Sequence, residues 1–249
     1  MISIKTQEEI RIMREGGKIL ATVMKELEKR VKPGITTKEL DRVAETLILK
    51  SGAKPSFKGY QGFPATLCTS INEEIVHALP SNRVLKEGDI ISLDQGVFYK
   101  GYHADMAVTL AVGQASPEAQ RLIRVTEKAL RLGIKKIKPG TTFGDIGQTI
   151  QSYVESQGFN VVRDLCGHGI GKELHEEPQI LNYGKKETGP KIKEGMVFCL
   201  EPMVTAGDWK IKKAKDGYGY ETADGNLSAH FEHTIALTKD GVKVLTVIK

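Results

Sequence analysis

Asp94, Asp105, His168, Glu201 and Glu232 are five residues able to hold metal, each inside a short segment that presents it. The segments are SLDQG (92–96), HADMA (103–107), CGHGIG (166–171), CLEPM (199–203) and FEHT (231–234). Four carboxylates and one imidazole suit a pair of divalent ions. Oxygen-rich ligand sets take Mg, Mn, Fe(II), Co and Zn, and one nitrogen moves the preference toward the transition metals. The charges also balance, four negative against four positive, so a cleft could hold the set without an unpaired buried charge. Two neighbouring metals can share a water and lower its pKa toward neutrality. A bridging ligand needs two anionic oxygens, which a carboxylate supplies. Glycines on both sides of His168 let backbone approach the ring closely.

Two further histidines are not needed as ligands: His77 in INEEIVHALP and His175 in KELHEEP. Both are free for substrate contact or proton transfer. His103, His230 and His233 neighbour the ligand segments and read as supports or packing. Taken singly, each ligand has a plainer reading, as a turn aspartate, a structural histidine or a strand end. Their joint occurrence in this order is what argues for a site. Competing motifs fail. His175-Glu-Glu-Pro-Gln lacks the second histidine of HExxH, and the glycine-rich stretch from Gly167 lacks the Ser or Thr that a phosphate loop places after Gly-Lys. No GxSxG elbow occurs.

The elements that must position these residues are legible. Capping boxes at Thr6-x-x-Glu9 and Thr36-x-x-Glu39 open two helices. Their apolar stripes are Ile10, Met13, Leu20, Met24 and Leu27, with Gly17 on the same face, and Leu40, Val43, Ala44, Leu47 and Ile48. Ser116-Pro117 opens a third helix, running to about Lys136. A fourth follows, with Ile146, Ile150, Tyr153 and Val154 aligned on Leu40, Ala44, Leu47 and Ile48. Lys138-Pro-Gly echoes Lys32-Pro-Gly, and Gly158 echoes Gly52, both at an offset of 106 residues. The same offset carries position 94 to 200, one short of Glu201. Two related halves are expected, each supplying acidic ligands, with convergent helix-loop-helix chemistry as the alternative.

The ligand segments read as strands. Ile90–Val97 and Tyr102–Val112 form a hairpin turning at 99–100 or 100–101. Either register places Asp94 and Asp105 on one side of the sheet. Glu201 is expected on a strand Val197–Val204, and Glu232 on a strand Ala229–Leu237 that turns at Asp240-Gly241 into a last strand, Val242–Ile248. Residues 207–227 read as a polar, glycine-rich loop.

Length and composition set bounds. The 249 residues, 40% hydrophobic and 27% charged, are those of a folded globular chain. A net charge of +5 is too diffuse to argue nucleic-acid binding; a transient contact with ribosomal RNA is the one such reading left open. Cys68, Cys166 and Cys199 are far apart and odd in number, which fits reduced thiols in a cytoplasmic protein. No signal peptide and no apolar run of membrane-spanning length is evident.

The order Asp94, Asp105, His in GHGIG, then HEEP, Glu in LEPM and Glu in FEHT resembles the methionine aminopeptidases, in the bacterial-type (type I) form, along nearly the whole chain. The resemblance implies an α/β (α+β) pita-bread fold, with pseudo-twofold duplicated halves, an antiparallel sheet and helices outside. One catalytic domain would span 1–249, with halves at about 1–112 and 113–249. The implied activity is removal of the initiator methionine from nascent proteins by dinuclear-metal-assisted hydrolysis, favouring a small second residue. It implies Asp94, Asp105, His168, Glu201 and Glu232 as ligands to two divalent ions (Co, Mn, Fe or Zn), with Asp105 and Glu232 bridging. Glu201 would shuttle the proton, His175 would stabilise the oxyanion, and His77 would contact the scissile amide. Tyr60, Phe63, Cys68 and Tyr218, with Leu174 nearby, would form the methionine pocket. Phe63, Leu174 and Tyr218 stand where Tyr, Phe and Trp are frequent in the family. The implied partners are N-termini of nascent polypeptides, met by a monomer.

Three rivals remain. A proline dipeptidase or X-Pro aminopeptidase shares the fold but usually carries a large N-terminal domain, for which 249 residues leave no room. A non-catalytic relative would be expected to lose metal ligands. A structural calcium site would not require His168.

Overall fold

The structure, a computed structural model, describes residues 1–248; Lys249, the last residue of the expected domain, lies outside the described residues. Helices form where the capping signals predict them. α1 (Gln7–Glu28) and α2 (Thr37–Lys50) start at complete capping boxes on Thr6 and Thr36. α3 (Pro117–Lys136) starts at Ser116, whose side chain accepts from the Ala119 N–H. α4 (Phe143–Ser156) has a third box, Thr142 with Asp145. Each box satisfies amide donors that a first helical turn leaves unpaired.

The strands, in chain order, are β1 (Lys54–Pro55), β2 (Leu67–Ile71), β3 (Glu74–Val76), β4 (Ile90–Tyr99), β5 (Tyr102–Ala111), β6 (Asn160–Val161), β7 (Gly167–Gly169), β8 (Glu176–Ile180), β9 (Val197–Leu200), β10 (Met203–Thr205), β11 (Ile211–Lys213), β12 (Tyr220–Thr222), β13 (Ser228–His230), β14 (Glu232–Thr238) and β15 (Gly241–Val244). The main sheet runs β1-β4-β5-β14-β9-β7-β8, with β2 also on β4 and β15 also on β14. All its pairings are antiparallel.

The two halves correspond closely. α2 and α4 are both 14 residues long and start 106 positions apart. Ile146, Ile150 and Val154 are buried as Leu40, Ala44 and Ile48 are, and Tyr153 is half-buried as Leu47 is. Thr36 bridges Val84, and Thr142 bridges Lys191 in the same way. The main sheet alternates accordingly. Ile91, Leu93 and Val97 of β4 pack among the residues of α1 and α2. Phe198, Leu200, Ile235 and Leu237 of β9 and β14 pack with those of α3 and α4. The other face carries the acidic residues.

Gly17 shows how closely α1 lies on the sheet. A Cβ there would overlap the carbonyl of Leu245. Backbone cannot retreat as a flexible side chain can, so Gly17→Ala should destabilise by about 1–3 kcal/mol. The expected readout is a lower urea midpoint with an unchanged m value.

Four expectations need correction. The strand Val197–Val204 is two strands, β9 in the main sheet and β10 in a separate sheet with β13 and β6. It breaks at Glu201-Pro202, where proline has no N–H to give a ladder. Ala229–Leu237 divides likewise into β13 and β14 around Phe231. Residues 207–227 are not only loop: β11 and β12 form a hairpin that pairs with β3. Its strands are too short and polar to show periodicity, and their partner lies far away in sequence. The last strand ends at Val244, although the Leu245 N–H still donates to Thr234 O.

Candidate metal centre

The β4–β5 hairpin presents the first two aspartates. Its turn is Lys100-Gly101, with φ of 48° and 89°, the left-handed pair that suits the twist of a two-residue hairpin. That turn pairs Gly96 with Asp105 and Asp94 with Ala107. Both carboxylates therefore point to the inner face, two residues apart along it. Thr234 fixes Asp105 from the adjacent strand: the Asp105 N–H donates to Thr234 Oγ1, which donates back to the Asp105 carbonyl, both at 2.8 Å.

Glu201 and Glu232 arise from the paired strand breaks. β9 pairs with β14 through Leu200 and His233, and β10 pairs with β13 through Met203 and His230. The two-stranded ribbon thus passes from one sheet to the other between those pairs, and both glutamates sit in or beside the crossing. Asn182 donates to the Glu201 carbonyl at 2.9 Å, taking up a backbone group left by the broken ladder.

His168 lies on the short strand β7, where its flanking glycines are sterically required. A Cβ on Gly167 would overlap Cys199 O, and one on Gly169 would overlap Glu177 O. Nδ1 lies 2.9 Å from the Gly169 carbonyl, so the proton resides there and the Nε2 lone pair is free. Nε2 is 3.5 Å from Glu201 Oε1. Burial holds the ring's pKa down at about 3, leaving it neutral, as a metal ligand must be.

The donor set fits divalent metal. Asp94 Oδ1, Asp105 Oδ1, Glu201 Oε1 and Glu232 Oε1 are buried without a hydrogen-bond partner among the described residues. Ligand atoms of Asp94, Asp105 and Glu232 lie within 4.8 Å of one another, and so do those of His168, Cys199 and Glu232. Burial, reinforced by neighbouring carboxylates, pushes Asp94, Glu201 and Glu232 well above the usual carboxyl range. Burial raises Asp105 to about 7. Carboxylates so crowded and dry need cations to ionise together.

The centre opens into a cavity of about 680 Å³, lined by all five of these residues and by His77 and His175. His175 Nδ1 is 2.8 Å from the Tyr60 hydroxyl, and its ring lies edge-on to His168 with centroids 4.3 Å apart. His77, at a φ of 61°, lines the same cavity, edge-on to Tyr220. Tyr60, Phe63, Cys68, Leu174 and Tyr218 all line the same cavity. Phe63 and Tyr218 meet edge to face at 5.5 Å, and the Tyr218 hydroxyl donates to Gly62 O. Cys68 pairs with Asp94 across β2 and β4.

The remaining histidines stand further out. His103 and His233 bond Ser56 and Thr246 through Nδ1. His230 is different. It is buried, both ring nitrogens lack a hydrogen-bond partner among the described residues, and Nε2 lies 3.8 Å from Glu201 Oε2. Its backbone N–H donates to Thr109 Oγ1, and that hydroxyl donates to its carbonyl, both at 2.8 Å. Neither this support nor those from Thr234 and Asn182 is announced by spacing, since each depends on which strands become neighbours.

The comparisons agree with this geometry. Residues 11–239 match Metallopeptidase family M24, and the chain belongs to that family. Within it, the relatives matched along nearly their full length are methionine aminopeptidases. Methionine aminopeptidase 1 of Bacillus subtilis is 51% identical over 246 residues, covering 99% of each chain. The crystal structure of methionine aminopeptidase from Thermotoga maritima superposes with a TM-score of 0.97 at 46% identity, over 99% of this chain and 100% of that one. A Xaa-Pro dipeptidase from Bacillus anthracis shares the fold at a TM-score of 0.77 and 25% identity, but this chain covers only 61% of it. The protein is a metal-dependent aminopeptidase of the pita-bread fold.

Proposed function

We propose that this chain hydrolyses the peptide bond after an N-terminal methionine, and favours a small second residue. The observation that carries this is the convergence of four orphaned buried carboxylates and a neutral histidine on one cavity that Phe63, Cys68, Leu174 and Tyr218 also line. Asp94, Asp105, His168, Glu201 and Glu232 would hold two divalent ions. When bound, such ions polarise the scissile carbonyl and activate water near neutral pH.

The chain's own groups supply the rest. Glu201 takes and returns the proton. With the Tyr60 hydroxyl donating to His175 Nδ1, 2.8 Å away, the ring proton would lie on Nε2 as a donor toward the developing oxyanion. Partial desolvation lowers the His175 pKa, so the ring is neutral at pH 7. His77 contacts the scissile amide. Phe63, Cys68, Leu174 and Tyr218 exclude water from the methionine side chain, and the soft thiol suits a thioether. We further propose one catalytic domain with halves at about 1–112 and 113–249. It would act in the cytoplasm as a monomer on nascent N-termini, with at most transient ribosome contact.

The test is hydrolysis of Met-Gly-Met-Met by apo protein reconstituted in turn with Mn(II), Fe(II), Co(II) and Zn(II), with Leu-second and Pro-second peptides as controls. Release of the first methionine alone, and only with metal, is expected. Cleavage confined to the Pro-second peptide would favour the proline-peptidase reading. His175→Ala should lower turnover about 10²- to 10³-fold, the scale of a lost oxyanion donor. Metal analysis of that variant should still find both ions; their loss would show that His175 acts as a ligand instead.

A further inference from the structure

We propose that Lys5 is a positioning residue, which holds the segment carrying His175 over the centre through a buried ion pair with Glu176. This rests on the role proposed for His175. Lys5 Nζ lies 2.6 Å from Glu176 Oε2, with only 3% and 15% of the two side chains exposed. The other ion pairs described have both partners more exposed, apart from the histidine contacts of Glu201 inside the centre. A charge buried to that extent is retained only with a partner, and breaking one side strands the other.

The pair closes a small knot around the segment 170–176. Glu176 Oε1 accepts from the Glu173 N–H, and the Gly171 N–H donates to the Glu173 carbonyl. The pair packs directly against Gly171, where a Cβ would press on Glu176 Oε1 and on Lys5 Cε. The Gly171 carbonyl accepts from the His103 N–H at 2.8 Å. On the other side, the Lys5 N–H donates to Gly195 O, and Thr6 begins the capping box of α1. The N-terminal segment is therefore anchored to α1 and to the 195 turn, and it reaches across to the residue next to His175.

That residue needs such help. β8 begins only at Glu176, and its ladder with β7 carries an irregularity between His168 and Gly169. His175 precedes the strand, and among the described residues its side chain has one hydrogen-bond partner, Tyr60. Its distance from the reacting carbonyl is set by how Glu176 is held. Misplacement of about 1 Å in such a group can cost roughly 10²-fold in rate.

The experiment is a double-mutant cycle on the metal-loaded enzyme, with kcat and KM measured on Met-Gly-Met-Met. Lys5→Met should lower kcat roughly 10- to 100-fold and leave KM within about twofold and both ions bound. In a His175→Ala background the same change should cost less than about threefold, because nothing remains to be positioned. Lys5→Arg should restore most of the loss. Glu176→Gln repeats the test should Lys5→Met fail to fold. Equal losses in both backgrounds, or an unchanged kcat in a folded variant, would overturn the proposal and leave Lys5 a structural residue. A His175→Ala enzyme as active as the wild type would instead overturn the role of His175.

Discussion

Turnover of Met-Gly-Met-Met by a Glu201→Gln variant should fall roughly 10³-fold or more, and one of the two ions should bind more weakly. Two effects add. Loss of a proton-transferring carboxylate alone costs about 10²- to 10⁴-fold. Glutamine also removes one of the four negative charges that offset the metals. The geometry makes the loss hard to repair. Glu201 follows the last residue of β9, its carbonyl is tied to Asn182, and its Oε1 lies 3.5 Å from His168 Nε2. Asp94, Asp105 and Glu232 lie on strands of their own, so none of them can take that position without moving its strand. Activity assays paired with metal stoichiometry on the purified variant provide the check. Near wild-type turnover would reject Glu201 as the proton carrier, and unchanged affinity for both ions would reject it as a ligand.

Stripping the metals should destabilise the fold and reverse the pH dependence of its stability. A ligand that binds only the folded state at about 1,000 times its Kd adds about 4 kcal/mol, and a chelator removes that. The apo protein then keeps four buried carboxyls with raised pKa values. Asp105 titrates from 3.8 when unperturbed to about 7 in the fold. A raised folded-state pKa means that its contribution is fully present below the unfolded value. The contribution is lost as pH rises through about 7, because the ionised group is then buried without a partner. Apo protein should therefore melt several degrees higher at pH 5.5 than at pH 8. The loaded enzyme should show the opposite slope, since protons compete with metal for the same oxygens. Calorimetry with and without chelator reads both slopes. An apo Tm that is flat or rises between pH 5.5 and 8 would contradict the electrostatic account of the centre.

Much of this was legible in the chain. Caps and helical stripes are local, set by residues three or four apart, so Thr6, Thr36 and Ser116 marked helix starts that the structure shows, and the stripe Ile146, Ile150, Val154 marked the fourth helix. The ligand types and the glycines around His168 marked a metal site, because few other arrangements need that chemistry. The same local logic misled at Val197–Val204 and Ala229–Leu237. Each looks like one β-rich run, yet each passes between two sheets. Pro202 hinted at the first break; Phe231 carried no such hint.

What the amino-acid sequence determined by itself was therefore the inventory: four helices, a helix plan echoed at an offset of 106 residues, the β4–β5 hairpin with both aspartates on one face, and five side chains suited to a pair of divalent ions. Tertiary structure alone decided the neighbours. The Thr234 clamp on Asp105, the approach of His230 to Glu201, the β11–β12 hairpin beside β3 and the Lys5–Glu176 pair all join residues far apart in the chain. Such contacts depend on which strands pair and in what register, and those are set by packing of the whole sheet against its helices rather than by any local preference.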